Sequence, residues 1–521
     1  MRLQVRWVIA FAVVSITVAI AFSAIWWAFL PLFFILIVAV YDLGQTRHTI
    51  RRNFPVVGHF RYLLESIRPE INQYFIESDI DGTPINREKR SLVYRRAKSQ
   101  RDTVPFGSRH DMYAPGFECL HHALFPTQVN ARALRVTVGG PACRQPYDAS
   151  IFHISAMSFG ALSSRAVESL NAGAAMGQFA HNSGEGGISE YHLKHGGDLI
   201  WQIGTGYFGC RKVSGEFDEN NFKITAARPQ IKMIEIKLSQ GAKPGAGGLL
   251  PGRKVNDEIA QVRGVLPGMD IASPPRHQVF DSVRGLLAFI ERLRTLSDGK
   301  PVGIKLCVGR PEDIEELCLE IVRSGIMPDF ISVDGAEGGT GAAPLEFTNH
   351  MGLPLTESLV LVHNSLIRHQ LRSHIRIICS GKIISGFDIV RAMALGADIC
   401  ASARGMMLAL GCIQALKCDS DHCPTGIATQ NPHLVAGLVT TEKSKRVANY
   451  HRKTVESVAQ ILGAMGLSHC REITADLISR RSTDGELKRL RESLGIASFS
   501  SEVFDYENSH SVSGHKNGTA D

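Results

Sequence analysis

The hydrophobic pattern of this chain changes period along its length. Residues 7–40 are almost wholly apolar, WVIAFAVVSITVAIAFSAIWWAFLPLFFILIVAV, and carry no charge. One straight helix of that length would rise well beyond the ~30 Å hydrocarbon core of a bilayer. The pattern therefore predicts a transmembrane hairpin, with two short spans reversing near Ser23 to Trp27 and Pro31 bending the second. A single tilted span and a cleaved signal peptide followed by an anchor are the alternatives. Arg2 and Arg6 precede the run and Arg47, Arg51 and Arg52 come after it. The positive-inside rule then places both flanks, and the body of the chain, in the cytoplasm at the cell membrane.

Residues 46–150 are less regular, with a helix expected over 56–75 and a short strand over 134–138, and they read as a lead-in that packs on the next domain. Beyond them, short apolar, β-branched runs recur at 151–159, 179–182, 199–203, 233–238, 302–308, 330–333, 375–379 and 397–401. Helical patterns come after several of these, at 163–176, 280–296 and 311–324. Eight such units predict an α/β chain folded as a (β/α)8 TIM barrel, and a doubly wound sheet is the alternative by pattern alone. Glycines cluster after the strand ends, where barrel active sites lie. Residues 442–465 read as an amphipathic helix closing the domain, and residues 499–521, rich in Ser, Asn, Gly and His, read as a disordered tail. The expected division is an anchor at 1–45, a lead-in at 46–150, the barrel at 151–470 and a C-terminal extension and tail at 471–521.

Composition narrows the class. The chain has 521 residues, 44% hydrophobic and 21% charged, which is globular. Its net charge of +7 is spread out and thickest between Arg47 and Arg101, so no nucleic-acid groove is expected and a membrane surface or acidic partner is favoured. Eleven cysteines, most in apolar runs, suggest a reduced compartment.

Three of those cysteines, Cys412, Cys418 and Cys423, fall within GCIQALKCDSDHCPTGIATQ at 411–430. Soft thiolates at such spacing select iron–sulfur clusters or zinc. Zinc needs a fourth ligand, for which His422 is the candidate, whereas three thiolates alone suit a three-iron cluster. Other stretches place chemistry at the barrel mouth. ISAMSFGALS carries Met157, Ser158 and Gly160, and NSGEGG carries Glu185. IEIKLSQGAKPGAGGLLPG ends a strand on Lys237, whose burial is costly without a carboxylate or ligand, and sets Lys243 in a glycine-rich loop suited to an anion. Lys305 in VGIKLCV, the DGAEGGTGAAP loop with Gly338, Gly339 and Thr340, then Gly381 and Gly405, come after later strands, where backbone amides can cradle phosphate. GTGYFG at 204–209 fits a dinucleotide fingerprint but does not lead into a helix start, so a nicotinamide site is rejected.

In this order the segments resemble the glutamate synthase large subunit, whose MSFGALS, NTGEGG, IEIK-x-x-QGAKPG and cysteine motifs they match from about 154 to 430. The resemblance implies an FMN-binding barrel and a [3Fe-4S] cluster on Cys412, Cys418 and Cys423. It assigns Met157, Ser158, Gly160, Gln202 and Lys305 to the flavin, and Gly338, Gly339, Thr340, Gly381 and Gly405 to its phosphate. It makes Glu185, Lys237 and Lys243 catalytic, with Lys243 and Arg263 binding substrate. The implied reaction carries electrons from the cluster through FMN to the imine of 2-oxoglutarate, giving glutamate. Asp419, Ser183, Leu249 and the SGK at 380–382 depart from the family pattern, and Leu249 replaces a substrate-contacting Gln. The resemblance does not extend to the family's amidotransferase domain. Ammonia is thus expected free or from a separate amidotransferase subunit, and electrons from ferredoxin or a reductase subunit. The competing readings are an FMN-dependent reductase of another imino or oxo acid, and a membrane electron-transfer subunit without its own substrate, against which Glu185, Lys237, Lys243 and Arg263 argue.

Overall fold

A computed structural model describes residues 2–499, without the side chains of 2–12 and 24–30. The expected tail beyond 499 lies outside the described residues. The chain forms two compact units, Met1–Ser78 and Asp79–Asp521.

In the first unit the expected reversal is absent: one helix runs from Arg2 to Gly44 through residues 23–27, with Pro31 inside it. The hairpin prediction is therefore corrected. Its reversal had no Gly, Asn or Pro to turn on, and the hydroxyls that could have started a turn are satisfied within the helix, Thr17 on the Val13 carbonyl and Ser23 on the Ile20 carbonyl, both at 2.8 Å. Among the described residues no helix is long and apolar enough to cross a membrane. After the long helix, Thr49–Asn53 and Gly58–Ile71 are helical. Buried Asp42 fixes their approach by accepting the Val56 N–H and the His59 ring N–H, both at 2.9 Å.

The second unit is built on a closed barrel of eight parallel strands, β1 (Phe152–Ile154), β2 (His181–Asn182), β3 (Leu199–Ile203), β4 (Ile231–Lys237), β5 (Val302–Leu306), β6 (Phe330–Asp334), β7 (Arg376–Ser380) and β8 (Ile399–Ser402). Each strand pairs with the next and β8 returns to β1, which excludes the doubly wound sheet. Strands covered on both faces read as unbroken apolar runs, and these are buried along almost their whole length. Register does the positioning: Gln202 lies opposite Glu235, Lys237 opposite Lys305, and Asp334 opposite Ser380. Polar groups from several strands are thereby brought to one end of the barrel.

The helix Arg87–Ala97 packs on the long closing helix Thr440–Ala464, where Arg96 reaches Thr454 at 3.3 Å. Residues 478–481 and 487–489 form an antiparallel sheet with Glu118–Leu120.

Candidate active site

The centre of the site is an ion pair. Lys237 Nζ, at the end of β4, lies 2.7 Å from Glu185 Oε1, and both side chains are largely buried. Glu185 is on the loop after β2, which Asn182 begins by accepting the Gly184 N–H at 3.0 Å. Burial pushes the Glu185 carboxyl up, and Lys237, Arg263 and Lys243 together outweigh it, so its pKa falls below the usual value. The carboxylate occupies a slot that only glycine permits. A Cβ on Gly204 or on Gly248 would stand 2.5 Å from a Glu185 carboxylate oxygen. Gly204 belongs to the rejected dinucleotide-like stretch; its role is to make room for Glu185.

Two further cations face this pair. Lys243 is buried, and its pKa is lowered by burial and by neighbouring Lys237, with Glu185 opposing. Arg263 ends the helix Asp257–Arg263, is buried, and donates to the Phe159 carbonyl at 3.0 Å and to Ser158 Oγ at 3.4 Å. Its guanidinium packs against Gly160 and Gly186, where a Cβ would approach Nη2 to 3.4 and 2.8 Å. Burial depresses its pKa to about 10 against the pull of Glu185, and its Nε has no hydrogen-bond partner among the described residues. His277, which no sequence motif singles out, supports Lys237 from behind, with Nε2 2.9 Å from the Lys237 carbonyl and Nδ1 3.1 Å from Tyr207 Oη.

Beside this group opens a small cleft, lined among others by Ser155, Lys305, Gly339, Gly381, Lys382 and Arg404. Lys305 Nζ stands 3.6 Å from Asp334, whose carboxylate also accepts the Ser380 hydroxyl at 2.6 Å and the Gly241 N–H at 2.8 Å. Cationic side chains and bare glycines at the ends of β6, β7 and β8 fit a phosphate-bearing cofactor. The amides of Gly338 and Gly405 are already taken, by the Gly335 carbonyl and Ser402 Oγ. Thr340 is exposed and does not line the cleft. Gly338, Gly339, Gly381, Lys382 and Arg404 all line the cleft, and of these Arg404 did not stand out in the sequence. Met157 is buried, and Ser158 is partly buried. Gln202 faces inward, donating to Glu235 at 2.7 Å. Leu249 is 51% exposed, on a two-residue strand paired with residues 271–272.

The cysteine loop is tied to the same mouth. Gln430 Nε2 donates to the Gly160 and Leu162 carbonyls at 3.1 and 3.0 Å, and Lys254 Nζ holds the Cys418 and Ala428 carbonyls at 2.7 and 2.8 Å. Cys412 is pushed up to about 11 chiefly by burial, with Cys418 and Cys423 adding to it. Around Cys423, burial is outweighed by the Thr425 hydroxyl and by the backbone of residues 425, 427 and 428, which stabilise a thiolate. Among the described residues no three His, Cys, Asp or Glu side chains are placed to hold one metal ion. A three-iron cluster would be bound differently, with one thiolate to each iron. His422 is exposed, with Nδ1 2.6 Å from the Ser420 carbonyl rather than directed to the thiols.

The sequence profile described as a conserved region in glutamate synthase matches residues 143–468. The "Glutamate synthase large subunit-like protein YerD" of Bacillus subtilis (strain 168) is 38% identical over 487 residues, covering 86% of this chain and 92% of that protein. An archaeal glutamate synthase (NADPH) of Archaeoglobus fulgidus is 34% identical over 60% of this chain and 58% of its own length. The glutamate synthase (NADPH) large chain of Bacillus subtilis is 34% identical over 60% of this chain, and the match spans 20% of that longer protein.

Proposed function

The chain belongs to the glutamate synthase family, and from that premise we propose that it is a membrane-held oxidoreductase that reduces the imine of 2-oxoglutarate to glutamate, using FMN and a [3Fe-4S] cluster. The observation that carries this reading is the gathering of Lys237, Lys243 and Arg263 around buried Glu185. A dicarboxylic oxo acid brings two anions, and Lys243 and Arg263 supply two cations for them. Lys237 Nζ, oriented by Glu185, holds the proton that passes to the imine nitrogen as hydride reaches its carbon. FMN, when bound in the cleft, would supply hydride chemistry, and a cluster held by Cys412, Cys418 and Cys423 would supply one-electron transfer. Lys305, Gly339, Gly381 and Arg404 would hold the flavin. The electron donor is a ferredoxin or a reductase subunit, and ammonia arrives free or from a separate amidotransferase subunit. A second reading, reduction of another imino or oxo acid, is favoured by Leu249, an apolar, half-exposed residue beside Gly248 in the wall of the Glu185 slot.

Reoxidation of anaerobically reduced protein by candidate oxo acids with ammonia tests the reading. Losing a charge-assisted hydrogen bond costs about 1.5–3 kcal/mol, so Arg263→Ala should weaken the oxo acid roughly ten- to a hundredfold with flavin retained. Leu249→Gln should strengthen 2-oxoglutarate. Unchanged reoxidation in Arg263→Ala, together with slower reoxidation in Leu249→Gln, would transfer the assignment to another imino acid.

A further inference from the structure

Inside the barrel, beneath the Glu185–Lys237 pair, lies a second carboxylate that the reaction does not use. Glu235 is 2% exposed and faces inward on β4, two residues before Lys237. Its Oε1 accepts the Asn182 and Gln202 side-chain N–H groups at 2.8 and 2.7 Å, and its Oε2 accepts the Ser332 hydroxyl at 2.5 Å. Three other strands are thus joined at one side chain.

A carboxylate can only accept, so both amides must turn their NH2 groups toward it. That fixes what each amide offers elsewhere. Asn182 Oδ1 is directed to the Gly184 N–H at 3.0 Å, which sets the start of the loop carrying Glu185. Gln202 Oε1 is turned away from Glu235 and has no hydrogen-bond partner among the described residues. Without Glu235, either amide could flip and exchange an acceptor for a donor. Among the described residues Glu235 also has no cation within ion-pair distance, so its hydrogen bonds come from neutral groups alone.

We propose that Glu235 is a positioning residue that presents Gln202 Oε1 as an acceptor to the ligand in the barrel mouth and holds the Glu185 loop through Asn182. The inference rests on the flavin reading, because Gln202 is taken to face FMN. Glu235→Gln keeps one oxygen for both amides and can donate to Ser332, so it removes the charge and preserves the network. Glu235→Leu removes the acceptors.

Both variants are purified beside the wild type, with Gln202→Leu and the double variant Glu235→Leu/Gln202→Leu, and FMN affinity is measured by flavin fluorescence quenching. Glu235→Leu should weaken FMN at least tenfold, and the double variant should bind no more weakly than the weaker single one, because a residue acting through another gives non-additive losses. Glu235→Gln should keep FMN bound and raise its midpoint potential, because a buried negative charge near the ring has been removed. Additive losses, or an unchanged affinity in Glu235→Leu, would overturn the proposal. If Glu235→Leu does not fold, the potential of Glu235→Gln decides, and an unchanged value overturns it. Wild-type protein that binds no FMN defeats the flavin reading itself, a different result from any of these.

Discussion

Burial alone would raise the Glu185 pKa, and its surrounding cations reverse that, leaving its folded pKa below the ordinary 4.5. A carboxyl depressed in this way adds stability above its unfolded value, and that stability is lost as pH falls through the folded value. Glu185→Gln should therefore melt below the wild type near neutrality, with the gap closing under acid as the wild-type carboxyl also becomes neutral. Melting temperatures compared from about pH 7 down to pH 3 check this, and a constant gap would mean that Glu185 is not the depressed group. At this scale the sequence exposed the residues whose chemistry is costly to place. A lysine ending an apolar strand must meet an anion, and Lys237 does. Glu235 stayed hidden because a single polar residue within an apolar run carries no sign of its partners, which come from other strands, and His277 because it lies in an irregular polar stretch, SPPRHQ, with no motif around it. Gly204 was hidden for a related reason: its local pattern suggests a phosphate loop, and only the folded chain shows Glu185 beside it.

Elements were legible wherever burial was continuous. Barrel strands covered on both faces appear as apolar runs, and all eight expected runs overlap strands of the closed sheet. The ends were not legible, since β2 has only two paired residues and the run at 151–159 yields a strand of three. Its remainder turns aside as the loop that meets Arg263 and the cysteine segment. That segment shows its spacing in the sequence, while its attachment through Gln430, Lys254 and Ser163 is visible only in the structure. The cluster proposed for this loop can be tested apart from turnover. Purified protein should contain about three irons and four sulfides per chain and show the EPR signal of an oxidised three-iron cluster, and Cys423→Ser should lose both while keeping flavin. Stoichiometric zinc with no iron would replace the cluster with a zinc site.

At the scale of the whole molecule, the sequence's length argument for a hairpin gives way to one helix of 43 residues. Ideal geometry makes it about 65 Å long, roughly twice a bilayer core, and because no helix among the described residues is long and apolar enough to cross a membrane, a single crossing is a proposal that carries its own test. The described stretch 31–44 leaves apolar side chains such as Phe33, Phe34 and Leu36 more than half exposed, and Gly58–Ile71 likewise exposes Phe60, Leu63 and Leu64. Apolar groups so exposed need a covering, and Arg47, Arg51 and Arg52 directly after the long helix suit the cytoplasmic headgroup layer. A single crossing reverses one consequence of the hairpin. Met1 and the second unit would then lie on opposite sides of the membrane, with the second unit cytoplasmic. Reporters fused at Met1 and at Asp521 should accordingly report opposite compartments, and removal of residues 1–78 should release a soluble flavoprotein, because Asp79–Asp521 is compact by itself. Reporters on the same side would rule out a single crossing, and full-length protein recovered without detergent in the soluble fraction would rule out the membrane.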